Sequence, residues 1–200
     1  VLKKNIENKS ILITGAGGSI GSEIANQIIS FRPKKIYLLD NSEINLFKIY
    51  NKLSSNYPKL ASRAEPVLCD CNQLEILKQK MYQKKIDIIF HSAAYKHVWF
   101  GEINTRSMLY NNINGLIQIL NFSRIQKIKK FIFISSDKAV NPKSILGISK
   151  KIGEDIVCYY YKFINQNINY SIVRFGNVIG SSGSVIPKFL DQVRKNEKIT

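Results

Sequence analysis

Acidic residues are scarce in this 200-residue sequence, which has 14 Asp and Glu against 30 Lys and Arg and a formal net charge of +16. Such an excess raises nucleic acid and anionic lipid as partners. The lysines are spread along the chain, however, with only short doublets such as Lys34-Lys35 and Lys129-Lys130, and without the interleaved aromatics of a single-strand groove. Since Lys greatly outnumbers Arg, and Asn and Ile are abundant, AT-rich coding accounts for the charge, and we expect no nucleic acid partner.

Long apolar runs and paired cysteines are also missing. No run approaches the roughly 18 apolar residues that span a bilayer, and the first ten residues, VLKKNIENKS, lack the apolar centre of a signal peptide. Cys69, Cys71 and Cys158 form no C-x-x-C pair, and His91 and His97 complete no zinc pattern. We therefore expect a cytoplasmic protein with reduced thiols and no metal site.

Short aliphatic runs alternate with helical stretches along almost the whole chain. The strand candidates are Ser10–Thr14, Lys35–Leu39, Pro66–Cys69, Asp87–His91, Phe131–Ser135 and Ser171–Phe175. The helix candidates are Ile20–Phe31, Glu43–Ser55, Gln73–Tyr82, Asn104–Arg124 and Ile145–Asn165. This rhythm predicts an α/β fold with a doubly wound parallel sheet. We assign residues 1–200 to one dinucleotide-binding domain, with 175–200 as the start of a substrate-binding lobe that is otherwise missing.

A glycine-rich stretch follows the first strand and opens the first helix. Its glycines are spaced Gly15-x-x-Gly18-x-x-Gly21, with Ser19 and Ile20 between the last two. Gly15 permits a tight turn, Gly18 lets the backbone approach a pyrophosphate, and Gly21 lets the helix pack closely on the strand. The free N–H groups of the helix N-terminus would then bind the phosphates. The strand before, the helix after and an acidic residue downstream make this a predicted dinucleotide site.

Two aspartates follow the second and third strands. Asp40 ends the second strand, where it can accept hydrogen bonds from both ribose hydroxyls and repel a 2′-phosphate, so we expect NAD rather than NADP. Asp70 is a candidate for the adenine amino group, and it is equally compatible with an ordinary loop cap.

The candidate chemistry follows the fifth strand, in the segment SSDKA. Ser136, Asp137 and Lys138 come at the carboxyl end of a parallel strand, where such sheets place ligands. A carboxylate beside an ammonium can act as an acid–base pair, although a solvated turn would look the same. Lys150 raises a further question. Dinucleotide-binding reductases often have a catalytic Tyr four residues before such a Lys, and here that residue is Leu146, which cannot transfer a proton.

Six stretches resemble the CapD-like polysaccharide-biosynthesis family of extended short-chain dehydrogenase/reductases. They are ILITGAGGSIGSEI (11–24), LLDNSE (38–43), IIFHSAAYKHV (88–98), NNINGLIQIL (111–120), SSDKAVNPKSILGISKK (135–151) and RFGNVIGSSGSVIPKF (174–189). Together they cover nearly the whole chain in the family's order. The resemblance implies a Rossmann fold and an NAD-dependent UDP-N-acetylglucosamine 4,6-dehydratase, a hydro-lyase of polysaccharide biosynthesis. Membrane-anchored members have Met at the Tyr position, and Leu146 is a similar apolar replacement.

The same resemblance implies catalytic roles. Asp137 would protonate the departing C6 hydroxyl, Lys138 would remove the C5 proton, and Ser136 would hold the sugar near C4. Lys150 would bind the nicotinamide ribose and lower nearby pKa values through its charge. The product would be a UDP-4-keto-6-deoxy sugar, with NAD regenerated in each cycle.

Binding roles carry over too. Ala93 and Ala94 would line the cofactor pocket, and Asn112 would support the hydrogen-bond network or serve only as a buried structural residue. The expected contacts of the UDP-sugar substrate are Lys96, His97, Asn177, Ser181 and Ser182, with Arg174 as a weaker candidate. The sequence departs from the family pattern where Trp99-Phe100-Gly101 replaces Pro-Leu-Met, in the substrate-side loop.

Alternatives to the dehydratase remain open at this point. A nucleotide-sugar 4-epimerase would need no base for C5, and a non-catalytic dinucleotide-binding module would need no acid–base pair at all. We also expect a homo-oligomer that associates through helices near 104–124 and 145–165. Membrane contact is expected only through a region absent from this chain, at the cytoplasmic face of the inner membrane in a full-length form.

Overall fold

One parallel sheet forms the centre of the molecule. The computed structural model describes residues 2–178, 189, 192–195 and 198. Within them the strands are β1 (Ser10–Thr14), β2 (Lys35–Asp40), β3 (Ala64–Leu68), β4 (Ile88–His91), β5 (Lys130–Ile134) and β6 (Asn169–Val173). Their spatial order is β3-β2-β1-β4-β5-β6, and every neighbouring pair is parallel. This is the doubly wound dinucleotide-binding order, which reverses between β1 and β4, so the predicted fold is confirmed.

Helices connect these strands. They are α1 (Leu2–Ile6), α2 (Ser19–Ile29), α3 (Glu43–Asn56), α4 (Leu74–Lys80), α5 (Val98–Ile103), α6 (Thr105–Leu109), α7 (Gly115–Ile125) and α8 (Ile145–Tyr159). Helices α1 and α5 were not predicted. The helix predicted at 104–124 is α6 and α7 joined by a π-helical segment, Tyr110–Asn114, and α8 continues into a π-helical turn, Tyr160–Ile164. Both β3 and β6 begin two residues before their predicted starts.

The sheet is covered on both faces, as its near-continuous apolar strands require. All five residues of β1 are buried, and their side chains alternate between two apolar clusters. Leu12 belongs to the cluster that includes Leu116 of α7, whereas Ile11 and Ile13 belong to the cluster that includes Leu46 of α3. This alternation fixes the register of β1, since a slip of one residue would exchange the two faces.

Four turns at the amino ends of the strands contain a non-glycine residue with positive φ. They are Asn8, Arg32, Gln83 and Lys127, at φ values of 57°, 54°, 58° and 50°. These residues end α1, α2, the α4 region and α7 in the left-handed conformation that commonly terminates a helix. The chain then turns directly into β1, β2, β4 and β5.

Two structural features are absent from the described part of the chain. No helix there has the length and apolar character needed to cross a bilayer. No group of three His, Cys, Asp or Glu side chains among those residues could hold a metal ion.

Candidate active site

The glycine loop after β1 is packed too tightly for side chains at three of its glycines, Gly15, Gly17 and Gly21. Gly15 has a φ of 64°, and a Cβ there would lie 2.7 Å from the Cα of Ala93. A Cβ on Gly21 would meet the carbonyl of Gly15 and lie 2.9 Å from the Cα of Ala16. The tight turn predicted at Gly15 and the close helix packing predicted at Gly21 are both present in this geometry.

The N-terminus of α2 is open to an anion. Gly18 precedes the helix in an extended conformation, and no side chain caps the first turn or brings an acidic group to it. The first turn of this eleven-residue helix therefore offers backbone N–H groups and partial positive charge to an anion, while the Asp40 carboxylate accepts the Gly17 N–H just before it. Ser19, Ile20 and Gly21 of the first turn line a cavity.

Asp40 holds this loop and also lines a small cavity beside it. Its Oδ2 accepts a hydrogen bond from the Gly17 N–H at 2.9 Å, and its Oδ1 accepts one from the Ser42 N–H at 3.0 Å. Gly17 is a residue of this loop that the sequence analysis did not single out. A Cβ there would collide with Asn45, so glycine is required for the loop to approach Asp40. The signal was the extra glycine in GAGG.

Asp70 serves partly as a loop cap. Its Oδ1 accepts hydrogen bonds from both the backbone N–H and the side-chain amide of Asn72, each at 2.8 Å. Asp70 also lines a small cavity of about 200 Å³ with Asp40, Ala93 and Ala94. The two interpretations of Asp70 left open by the sequence are therefore compatible.

A larger cavity, about 990 Å³, lies beside the small one at the carboxyl ends of the strands. Gly15, Gly18 and Ala94 line both cavities, which places the glycine loop between them. The larger cavity brings together the predicted residues Gly15, Gly18, Ser19, Ile20, Gly21, Ala94, Lys96, His97, Ser136, Lys138, Lys150 and Asn177. Ser181 and Ser182 lie outside the described residues.

The Ser136–Asp137–Lys138 triplet forms a compact hydrogen-bonded group. Asp137 Oδ1 accepts a hydrogen bond from the Ser136 hydroxyl at 2.8 Å and one from Lys138 Nζ at 3.1 Å. These two donors hold the pKa of Asp137 below its usual value. Lys138 Nζ also donates to the Asn177 side-chain oxygen at 3.3 Å. Ser136 and Lys138 line the large cavity, whereas Asp137 is not among its lining residues and packs near Gly176.

Lys150 is buried against the end of β5. Its Nζ donates to the Ile134 carbonyl at 2.8 Å and lies 5.0 Å from the ring centroid of Phe133. Burial lowers the pKa of Lys150 to about 8, while the charge of Glu154 acts in the opposite direction. Leu146, one turn earlier on α8, is also buried and contributes an apolar surface to the cavity wall.

Asn112 fixes the loop after β4 to α8. Its Oδ1 accepts a hydrogen bond from the Tyr95 N–H at 2.8 Å, and its amide donates to the Tyr95 carbonyl and to Ser149 Oγ, both at 3.1 Å. It lies in the π-helical segment, a geometry often found at functional sites. Tyr95 lines both cavities and was not predicted.

His91 is a buried residue of the site that the sequence reasoning did not use. Its Nδ1 is hydrogen-bonded to Thr14 Oγ1 at 2.8 Å, and its ring stacks on Phe133. Burial, aided by the charge of Lys150, lowers the pKa of His91 to about 3, so the ring is neutral. This bond joins the ends of β1 and β4, where the strand order reverses.

The departure at Trp99-Phe100-Gly101 forms α5 at the rim of the large cavity. Phe100 lines the cavity, and the Trp99 ring packs edge-on against it with centroids 5.0 Å apart. Glu102 accepts a hydrogen bond from the Ile145 N–H at 2.9 Å and so ties α5 to the start of α8. Gly101 packs against the Met108 side chain, so that a Cβ on Gly101 would lie 2.5 Å from the Met108 sulfur.

Arg174 is engaged by Glu154 of α8 rather than held free for an anionic substrate. Its Nε and a terminal nitrogen donate to the two carboxylate oxygens at 2.8 and 2.5 Å, and Ser135 Oγ donates to the same carboxylate at 2.5 Å. Glu154 is buried, and Arg174 holds its pKa below the usual value. Arg174, the weaker candidate for a substrate contact, therefore forms a structural ion pair with Glu154 in this geometry.

A comparison with protein families decides where the chain belongs. Residues 11–200 match the model of a family described as polysaccharide biosynthesis protein. The chain belongs to this polysaccharide biosynthesis family. The predicted resemblance is confirmed.

Members of the polysaccharide biosynthesis family and related enzymes are similar along the whole chain. The capsular polysaccharide biosynthesis protein CapD of Staphylococcus aureus is 39% identical over 100% of this chain and 33% of its own length. An inverting UDP-N-acetylglucosamine 4,6-dehydratase of Campylobacter jejuni is 30% identical over 95% of this chain and 55% of its own. A UDP-glucose 4-epimerase of Rickettsia bellii is also 30% identical, over 96% and 56%. The chain thus spans about a third of CapD and just over half of the other two.

Solved structures give the same fold for this family member. Pen from Bacillus thuringiensis has a TM-score of 0.87 and 32% identity, and the match covers 97% of this chain and 60% of that one. WbmF of Bordetella bronchiseptica, solved with NAD+, has a TM-score of 0.76 at 16% identity, with coverages of 98% and 63%. At that identity the second likeness concerns the fold alone.

Proposed function

We propose that this protein is an NAD-dependent nucleotide-sugar 4,6-dehydratase acting on UDP-N-acetylglucosamine. The observation that carries the proposal is the Asp137–Lys138 pair, 3.1 Å apart at the carboxyl end of β5, with Lys138 and Lys150 lining one cavity. The residue four before Lys150 is the apolar Leu146, so the site needs another acid–base group, and this pair supplies it. The similarity to the Campylobacter dehydratase supports the same reaction.

The residues present fit NAD. Gly15, Gly17 and Gly21 have no room for a side chain, no acidic residue lies in the first turn of α2, where a pyrophosphate would bind, and Asp40 lies in the adjoining small cavity. Bound NAD would accept hydride from C4 of the sugar and later return it to C6. Because Asp40 would repel a 2′-phosphate, we expect at least about tenfold tighter binding of NAD+ than of NADP+. Calorimetric titration with both nucleotides tests this, and equal affinities would contradict it.

Proton transfer then depends on where the proton of the Asp137–Lys138 pair resides. In the open site the hydrogen bonds from Ser136 and Lys138 favour carboxylate Asp137. Elimination needs the opposite arrangement, with a neutral Lys138 amine to take the C5 proton and a protonated Asp137 to give one to the C6 oxygen. Transfer of one proton from Lys138 to Asp137 produces both groups. A bound substrate favours this transfer by excluding water, since burial penalises the charged forms.

The atoms balance across the two residues. Lys138 gains the C5 proton, Asp137 loses its proton to the hydroxyl leaving C6, and one water is released. After hydride returns to C6, Lys138 gives its proton back to C5. The proton that the C4 hydroxyl releases as hydride leaves C4 passes through water to the pair and replaces the one that Asp137 lost, so the pair ends each cycle as it began. Lys150, held by the Ile134 carbonyl, would bind the nicotinamide ribose, and Asn177, which bonds Lys138 in the open site, would turn to the substrate.

A 4-epimerase is the second candidate, favoured by the similarity to the Rickettsia epimerase. Incubation of the protein with NAD+ and UDP-N-acetylglucosamine, followed by mass spectrometry, separates the two reactions. A dehydratase product has lost water, and Lys138→Ala abolishes that loss. An epimerised product keeps its mass and would overturn the dehydratase. An unchanged sugar despite bound NAD would leave a non-catalytic dinucleotide-binding module.

Self-association is part of the proposal. Ile148, Ile152, Tyr159 and Phe163 follow one face of α8 and its π-helical turn, and all four are exposed in the single chain. An apolar stripe of this length favours helix-to-helix contact with a second copy. Sedimentation analysis tests it, and a monomer at high micromolar concentration would contradict it.

A further inference from the structure

The amino edge of the sheet, opposite both cavities, concentrates positive charge. Parallel strands all begin at this edge, so the turns that lead into them lie side by side. Six cationic side chains occupy the turns before β1, β2, β4 and β5, which are neighbours in the sheet. These six, named here the basic edge, are Lys9, Arg32, Lys34, Lys85, Lys127 and Lys129.

Backbone hydrogen bonds hold the turns of the basic edge in register. The Lys34 N–H donates to the Lys9 carbonyl at 2.8 Å, and the Asn8 N–H donates to the Arg32 carbonyl at 3.2 Å. On the other side, the Lys129 N–H donates to the Asp87 carbonyl at 2.9 Å. Neighbouring strands lie about 4.8 Å apart, so the four strands place these charges along a strip of roughly 15 Å. At that spacing the charges act together at physiological salt.

The two carboxylates of these turns, Glu7 and Asp87, only partly offset the six cations, and Glu7 is paired with Lys3 of α1. Glu65 is paired with Lys35 and Lys84, and Asp87 Oδ2 accepts a hydrogen bond from the Ser10 N–H at 2.9 Å. Within the described part of the chain, no acidic side chain lies within ion-pair distance of any member of the basic edge. The opposite edge is different, because Asp40, Asp70 and Asp137 lie there among its lysines. The charge of the protein is therefore asymmetric along the strand direction.

We propose that the basic edge is a docking surface for an anionic phospholipid bilayer, which departs from the expectation from the sequence that only a region outside this chain contacts a membrane. A bilayer is a plane that can touch all four turns at once, and each nearby Lys or Arg adds to its attraction. Five of the six cations are lysines, which bind phosphate as point charges rather than by planar bidentate recognition. Tyr82, exposed in the same region before β4, has the amphipathic ring that favours the headgroup layer. Both cavities lie at the far edge, so docking leaves the candidate active site open to water.

Nucleic acid is the competing anionic partner. Unspecific binding of a single strand relies on a charged groove with aromatic rings for stacking. The basic edge is a row of turns, and the two described cavities are at the other end of the sheet. The geometry of the basic edge therefore favours a phospholipid bilayer over nucleic acid.

Vesicle co-sedimentation tests the proposal independently of the reaction proposed above. The probes are phosphatidylcholine vesicles with and without phosphatidylglycerol, at low and physiological salt. The edge variant is Lys34→Glu with Lys129→Glu. The matched control is Lys48→Glu with Lys52→Glu, two exposed lysines of α3 that change net charge equally. Unfolding midpoints of both variants establish that they fold.

We expect binding only to vesicles with phosphatidylglycerol, weakened by salt, and at least about tenfold weaker for the edge variant than for the control. Equal weakening of both variants would assign the effect to net charge and overturn the proposal. So would a lack of binding to anionic vesicles. Tighter binding of single-stranded RNA, lost in the edge variant, would assign the surface to nucleic acid instead.

Discussion

Glu154 and Arg174 join α8 to the end of β6 through two parallel hydrogen bonds of 2.8 and 2.5 Å. The same carboxylate accepts the Ser135 hydroxyl from the end of β5, directly before the Ser136–Asp137–Lys138 triplet. Glu154 also lies one helical turn after Lys150, whose pKa its charge raises. One buried carboxylate thus fixes the ends of two strands and keeps positive charge on Lys150.

Glu154→Gln is expected to move the titration of Lys150 to lower pH. Without the negative charge, the pKa of Lys150 falls below about 8, so the protonated form, which we propose to bind the ribose, is lost earlier as pH rises. The measurement is the pH midpoint of NAD+ affinity by calorimetry. The amide keeps some of the hydrogen bonds, and we expect a loss of about 1–3 kcal/mol in the free energy of unfolding.

Asp155→Asn is the matched control for that measurement, because Asp155 is an exposed neighbour paired with Lys151. Its pH midpoint for NAD+ binding should equal that of the wild type. Identical midpoints for Glu154→Gln and the wild type would show that Glu154 acts only in packing.

Because His91 is buried and neutral, we expect the free energy of unfolding to fall at acidic pH. Its pKa in the folded protein, about 3, is below the 6.5 of an unperturbed histidine, so the unfolded chain binds more protons between these values. The stabilisation is therefore complete above about pH 6.5 and lost as pH falls toward 3. Between about pH 7 and about pH 5, we expect His91 to account for roughly 2 kcal/mol of lost unfolding free energy. Urea unfolding at both pH values measures it.

The control for His91 is His91→Asn, which removes the titrating ring and keeps a polar side chain near Thr14. The absolute stability of this variant will be lower, so the quantity to compare is the difference between the two pH values. If that difference is the same in the variant and the wild type, other groups cause the acid sensitivity.

Two glycine substitutions should give opposite results. Gly15→Ala places a side chain at a φ of 64° and 2.7 Å from the Cα of Ala93, which costs about 1–2 kcal/mol in backbone conformation before the collision is counted. We expect a lower unfolding midpoint and loss of measurable NAD+ binding. Gly115→Ala, at the start of α7, makes ordinary van der Waals contacts, the nearest with Cys71 Cβ at 3.4 Å, and gains helix propensity. Its midpoint and affinity should stay close to wild type, and a comparable loss in both variants would contradict this account of the loop.

The sheet and the cofactor loop were predictable because their signals are local. Each buried strand is a short apolar run, and the loop of Gly15, Gly18 and Gly21 stands between a strand and a helix. When strands and helices alternate along the chain, only a few sheet topologies are possible. The strand order observed here is the one most common among dinucleotide-binding domains.

What was missed depends on contacts between distant residues. Glu154 and Arg174 are twenty positions apart, and nothing near Glu154 in the sequence marks it as buried. Gly17 matters because its N–H donates a hydrogen bond to Asp40, which lies at the end of β2. Helix α5 is held in place because its Glu102 accepts a hydrogen bond from the first residue of α8. The π-helical segment at Tyr110–Asn114 has an ordinary helical pattern in the sequence, and within it Asn112 bonds to the distant Tyr95. The lowered pKa of Asp137 depends on a local geometry of Ser136 and Lys138 that their order alone does not fix.

The most direct test of the central claim is deuterium incorporation during reaction in D2O. The protein is incubated with NAD+ and UDP-N-acetylglucosamine, and the product is analysed by mass spectrometry and NMR. If Lys138 removes the C5 proton, the product will have lost water and will carry solvent deuterium at C5, and Lys138→Ala will give neither. A sugar isomer of unchanged composition with protium at C5 would contradict the dehydratase and assign the site to 4-epimerisation.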